Sequence, residues 1–176
     1  MNKKFSAKKQ ISHKVVIFWS MICFVTLAFV VAIIIMFVNA QSTRSINDIR
    51  NLYEEEVFQQ EGSYYVYVYS KIGITDEQAE LDKASDLEEL IVTYMTYAKR
   101  HSNARRIYGM NVDSFRNKSA VFMSGSTNVV GSARFSGLRI NADDIPILML
   151  IENGKVSKAY LTEKEIRDAL DKDMNP

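Results

Sequence analysis

The feature that most constrains this chain is an uninterrupted apolar run near its start. Residues 15–38 read VVIFWSMICFVTLAFVVAIIIMFV, 24 residues without a charge, and only Ser20 and Thr26 are mildly polar. As a helix rising about 1.5 Å per residue the run spans roughly 36 Å, enough to cross a hydrocarbon core of about 30 Å with some tilt. In lipid a single segment satisfies its backbone polar groups only as a helix. Val38-Asn39-Ala40 offers a small-residue cleavage site. A cleaved signal peptide, however, carries an apolar core of only about 7–15 residues, so an uncleaved anchor is the better reading. Trp19 lies near one end of the run, as an interfacial aromatic does.

Charge sets the expected orientation. The 176 residues hold 22 Lys+Arg and 21 Asp+Glu, a net charge of +1 that gives no support to nucleic-acid binding. Five of those basic residues, Lys3, Lys4, Lys8, Lys9 and Lys14, precede the apolar run, leaving 17 basic against 21 acidic residues and a net −4 for the rest. The lysines place residues 1–14 in the cytoplasm as a basic tail and everything after Val38 outside, in the plasma membrane's single-pass topology. With 47% hydrophobic and 24% charged residues, the chain has the composition of one that folds rather than of a disordered one. The sole cysteine, Cys23, lies inside the apolar run, so an intramolecular disulfide, a CxxC pair and a Cys-rich zinc site are excluded.

Residues 39–61 carry Ile46, Ile49, Leu52, Tyr53, Val57 and Phe58 at spacings that predict an amphipathic juxtamembrane helix ended by Gly62. Residues 62–176 form the expected domain. Ser63–Ser70 reads SYYVYVYS, β-branched and aromatic on both faces, as a central strand covered on two sides requires. Thr75-Asp76-Glu77-Gln78 is a capping box that opens a helix, and Ser85-Asp86-Leu87-Glu88 is a second that kinks or restarts it. Leu87, Leu90, Ile91, Tyr94 and Ala98 share one face of that helix, and residues 107–112 make a second strand. Strand–helix–strand predicts a parallel pair. Residues 113–141 have no clear period beyond a short strand at Val121–Met123. Residues 147–151, the Asn153-Gly154 turn and residues 156–160 form a hairpin, and Thr162-Glu163-Lys164-Glu165 caps a last helix.

That order, with Pro146 just before the hairpin, resembles the thioredoxin-like superfamily over about residues 45–173. Tyr65–Ser70 looks like the strand leading to the family's active-site loop, and the helix from Thr75 like the one carrying its redox motif. Asp144-Ile145-Pro146-Ile147-Leu148 looks like the cis-proline loop, and Ile151 to Val156 like the terminal hairpin. The resemblance implies a three-layer α/β/α domain with a central mixed sheet. It also implies a cis Ile145–Pro146 bond, a form only about 5–6% of X–Pro bonds adopt. Finally, it implies a peptide-binding groove walled by Lys71, Ile72, Gly73, Ile74, Thr75 and Asp76 on one side and Asp144, Ile145, Pro146 and Ile147 on the other. The departure from the family is chemical. Gly73 and Asp76 stand where the family has its two cysteines, and thiol–disulfide exchange without a thiolate is excluded.

Other chemistry reads as structural. His13 and His101 cannot build a metal site, and His101 reads as a helix end. Asp143 and Asp144 are adjacent and read as turn formers. Asn117-Lys118-Ser119 matches a glycosylation sequon, relevant only in a eukaryotic secretory context. The basic stretch Lys99 to Arg106 reads as a solvated helix end and loop rather than a docking patch. No catalytic, cofactor-binding or metal-binding residue is assigned. The expected function is protein binding, or an accessory role in a bacterial cell-envelope complex with residues 113–141 as interface. The alternative is a non-thiol enzyme using Lys71, Thr75, Asp76 and Asp144 in the same cleft.

Overall fold

The computed structural model describes residues 13–41, 45–73 and 78–175, and the chain divides into two units, residues 1–42 and 43–176. The first contains helix α1 (His13–Gln41). Its residues His13–Phe37 are long and apolar enough to cross a membrane, with a mean hydropathy of 2.8 and no part buried by protein. An all-round apolar circumference suits lipid rather than a protein surface. Thr26 is satisfied within the helix, its hydroxyl donating to the Ile22 carbonyl at 2.8 Å.

The second unit is mixed α/β. Strand β1 (Tyr64–Tyr69) pairs in parallel with β2 (Arg106–Asn111) and antiparallel with β5 (Ile147–Glu152), which pairs antiparallel with β6 (Lys155–Tyr160). The order β2-β1-β5-β6 makes β1 an inner strand, and all six of its residues are buried. The period-2 alternation of a strand divides them between two cores. Tyr65, Tyr67 and Tyr69 face helices α2 (Gln78–Arg100) and α3 (Glu163–Met174), meeting Leu87, Ile91, Tyr94, Ile166 and Leu170. Tyr64, Val66 and Val68 face the other way, with Met110, Ile147 and Met149.

The layer over this second face is not helical, contrary to the α/β/α expectation. It is residues 112–146, with strand β3 (Val121–Phe122) pairing in parallel with β4 (Ile140–Asn141), several 3₁₀ turns, and core residues Ala120, Val129, Phe135, Leu138 and Ile140. The stretch expected to be an interface is thus first of all a core layer. Its irregularly spaced apolar side chains match neither helix nor strand period because the sheet beneath sets the contacts.

The expected amphipathic helix over 39–61 is also replaced. Ile46–Asp48 and Glu54–Phe58 are 3₁₀ turns, and between them the chain lies beside β2: the Gly109 amide donates to the Arg50 carbonyl and the Leu52 amide to the Gly109 carbonyl. Ile49 enters the helix-side core and Leu52 the opposite one, a two-sided burial an amphipathic helix cannot give. Asn117, fully buried, locks this arrangement. Its amide donates to the Leu52 and Asn111 carbonyls, both at 3.0 Å, and its Oδ1 accepts from the Glu54 amide at 3.1 Å. Buried and fully bonded, Asn117 is no glycosylation acceptor in the folded chain.

Helix α2 runs unbroken through Ser85, where a second start was expected, because its buried stripe Leu87, Ile91 and Tyr94 continues across that point. The capping box at Thr75 lies outside the described residues. The hairpin turn has positive φ at Asn153 (52°) and Gly154 (70°), as a tight primed turn requires. Thr162 and Glu165 close the expected capping box of α3, and Ile145–Pro146 is cis.

Gly109 is needed by close approach. A Cβ there meets Asn51 Oδ1 at 2.5 Å and Ile49 Cγ2 at 2.9 Å. Gly109→Ala is therefore expected to lower unfolding free energy by about 1–3 kcal/mol through overpacking. Chemical denaturation of the full chain in detergent checks this; an unchanged midpoint contradicts the packing of residues 49–52 on β2.

Candidate functional site

Three strand ends converge on the candidate site. Tyr69 pairs with Asn111 in parallel and Val68 with Ile147 antiparallel, so β1 and β2 leave the sheet where β5 enters it. The loop after β1 and the cis-proline loop before β5 thus occupy one end of the sheet, as the groove expectation requires. Beyond that the two walls differ. Ile74, Thr75 and Asp76 lie outside the described residues. Ile145, Pro146 and Ile147 are buried, and the two isoleucines belong to the core, so none of the three offers a side chain to a surface groove. Asp144 is held from several sides: the Thr127 hydroxyl donates to its carboxylate, and Lys83 Nζ donates to its carbonyl and to that of Leu161, each at 2.7 Å.

What shapes the loop is a residue that sequence reasoning passed over. Asp113, just past β2, takes the Ser70 hydroxyl on Oδ1 at 2.5 Å and the Lys71 amide on Oδ2 at 2.7 Å. Ser70 Oγ in turn accepts from the Gly73 amide at 2.9 Å, and the Asp113 amide donates to Asn111 Oδ1 at 2.8 Å. Gly73 sits at φ 81°, a conformation open to glycine at little cost. Lys71 Nζ donates to Asn47 Oδ1. A carboxylate clamp therefore fixes residues 70–73, the start of the loop after β1. The Asn-Val-Asp sequence ending β2 signals an Asx turn, but nothing in it names Ser70, 43 residues earlier.

Beside this loop lies a cleft of about 250 Å³ lined by Ile72, Gly73, Val112, Asp113, Lys118, Val121 and Met123. Its rim is apolar and solvent-facing: Ile72 is 80% exposed, Met123 67%, and the nearby-in-sequence Phe115 92%. The surface combines fixed backbone with unsatisfied apolar area, flanked by the Lys118 ammonium. Among the described lining residues, Asp113 and Lys118 are the charged ones and the others are apolar or glycine.

At the opposite end of β1 a polar network closes the helix layer. Arg105 pairs with Asp173, its Nε donates to Ser63 Oγ at 3.1 Å, and the Tyr94 hydroxyl lies 2.7 Å from Asp173 Oδ2. His101 stacks on Tyr97 with ring centroids 4.2 Å apart, and its Nδ1 lies 3.0 Å from the Tyr97 carbonyl. His101 thus has the helix-end role expected of it, whereas Arg105, expected to be a solvated loop residue, is half-buried and ion-paired. Among the described residues no group of three or more His, Cys, Asp or Glu side chains is placed to hold a metal ion. No protein-family model matches the chain, and comparison with curated proteins finds no match either.

Two outcomes follow. Asp113→Ala is expected to cost about 1–3 kcal/mol, because the Lys71 amide and Ser70 hydroxyl lose their acceptor. Ser70→Ala in the same background should add little, since both act in one network. Thermal unfolding of the single and double variants reads the coupling, and full additivity contradicts the clamp. The second outcome concerns pH. Burial first, then Asp173, pushes Tyr65 up to about 12, and burial and the Asp173 hydrogen bond raise Tyr94 as well. A folded state that keeps its phenol protons is fully favoured below the ordinary value of 10 and loses that advantage as pH rises from 10 towards 12. Tyrosinate absorbance should therefore rise together with loss of helical circular dichroism above pH 10. Tyrosine ionisation completed in a still-folded domain contradicts this.

Proposed function

We propose that this chain is a membrane-anchored, thioredoxin-like binding domain without redox cysteines, which holds a protein partner on the extracytoplasmic side of a cell envelope. The observation that carries the reading is the exposed apolar rim, Ile72 and Met123, on a cleft whose backbone is clamped by Asp113. An apolar rim this exposed is favourably covered by a partner, and a preformed loop lowers the ordering cost of binding. The partner's matching feature is an apolar side chain that fills the cleft beside Lys118.

Several observations support the thioredoxin-like part. They are the parallel β1–α2–β2 unit, the cis Ile145–Pro146 bond, the Asn153-Gly154 hairpin, and α3 packed on the same face as α2. The five lysines before the apolar run 15–38 support the orientation. For the enzyme alternative, which draws on Lys71, Thr75, Asp76 and Asp144, Thr75 and Asp76 lie outside the described residues and Asp144 is engaged by Thr127. Only the binding reading has an observation in its favour.

Site-specific photo-crosslinking of the full chain in its native membranes tests this. Crosslinkers at Ile72 and Met123 should yield one shared protein adduct that a crosslinker at exposed Lys164 on α3 does not, and Ile72→Asp should reduce the Met123 adduct about tenfold or more. No adduct from the cleft positions, or equal capture from Lys164, overturns the proposal.

A further inference from the structure

The loop that borders the apolar cleft has a second cavity on its other side. It measures about 310 Å³ and lies between β1 and the first half of α2, with Tyr67, Tyr69, Lys71, Ser85 and Glu88 among its lining residues. Its wall is built from the sheet's helix-side aromatic stripe. The Tyr67 and Tyr69 rings stack, 5.5 Å between centroids and 12° between planes. The Tyr69 hydroxyl donates to Asn51 Oδ1 at 3.2 Å. The Tyr67 hydroxyl has no hydrogen-bond partner among the described residues, although Tyr67 is only 2% exposed. A buried phenol without a partner is costly, and a cavity beside it is where the missing partner belongs.

The charges around this hydroxyl have opposite signs on opposite walls. Lys71, on the β1 side, spends one N–H on Asn47 and keeps two for other acceptors. Glu88 and Ser85 lie one turn apart on α2, and neither has a hydrogen-bond partner among the described residues. Glu88 is close enough to Tyr67 to add to the upward shift that burial and Tyr69 impose on the phenol. A cation, an anion, an aromatic wall and an unpaired hydroxyl are complementary to a ligand with both charges.

We propose that this cavity binds a small zwitterion, an amino acid or dipeptide, with its carboxylate on Lys71 and its ammonium between Glu88 and the Tyr67 ring. Its volume falls at the lower end of the roughly 300–1,000 Å³ of small-molecule sites, which suits a ligand of this size. The Tyr67 hydroxyl completes the site by hydrogen bonding to the ligand. The inference does not rest on the apolar cleft, which lies on the other side of residues 70–73.

Isothermal titration of the full chain in detergent, in an amine-free buffer, tests it with L-alanine and L-alanyl-L-alanine as probes. At least one should bind saturably, and which one does separates an amino-acid site from a dipeptide site. N-acetylation or C-amidation of the binding probe should each weaken affinity about tenfold or more, as should Glu88→Gln and Lys71→Gln. Tyr67→Phe should weaken it severalfold while leaving thermal unfolding unchanged or raised, because the buried hydroxyl has no partner to lose. Met123→Ser should leave it unchanged, which separates this site from the partner cleft. Absence of saturable binding by both probes overturns the proposal. So does binding that survives blocking of both termini, or that is indifferent to Glu88→Gln.

Discussion

The domain depends on one strand that has no polar face. Every residue of Tyr64–Tyr69 is buried, so the sheet must be covered on both sides, and neither cover can be omitted. Helices α2 and α3 supply one. The other is an irregular layer, residues 112–146, helped by Leu52 and Val57 from the chain that follows α1. The strand's two ends acquire different chemistry for the same reason. Four tyrosines on one short strand carry hydroxyls that must find partners at the edges of a dry core. Tyr64 reaches the Val57 carbonyl at 3.0 Å, Tyr69 reaches Asn51, and Tyr67 is left facing a cavity.

Polar residues do the locating. Asn117 joins the chain after α1 to β2, and Asp113 joins the end of β2 to the loop after β1. Each is a single side chain satisfying backbone groups that would otherwise be orphaned, and each acts across tens of residues. With these clamps residues 70–73 at the start of that loop keep a fixed form. Its neighbouring surface carries the exposed apolar side chains Ile72 and Met123.

Much of this was legible in the sequence wherever a local rule coincides with the tertiary outcome. The SYYVYVYS run, the Asn-Gly turn, the Thr162–Glu165 capping box and the apolar stripe of α2 all state their structure within a few residues. Where the rule is local and the outcome is not, the reading fails. Ile46, Ile49 and Leu52 have helical spacing, yet Gly109 leaves room for that chain to lie flat against β2 and send Ile49 and Leu52 to opposite faces. Val129, Phe135 and Leu138 have no period because a sheet, not a helix axis, selects them. The candidate groove was half legible: Ile72 and Gly73 border a cleft, while Ile145 and Ile147 are core residues that share the sheet end. Asp113 and Met123 could not be named, since their partners are distant in the chain.

The proposal's central claim is that this apolar cleft is open and belongs to a domain on the extracytoplasmic side of the membrane that α1 is long and apolar enough to cross. Labelling intact cells with a membrane-impermeant maleimide tests it most directly, in a Cys23→Ser background that removes the only native thiol. Met123→Cys should react in intact cells, whereas Ser6→Cys should react only after permeabilisation. Labelling of Ser6→Cys in intact cells with Met123→Cys protected would contradict the orientation, and protection of Met123→Cys even in the detergent-purified folded chain would contradict the open cleft.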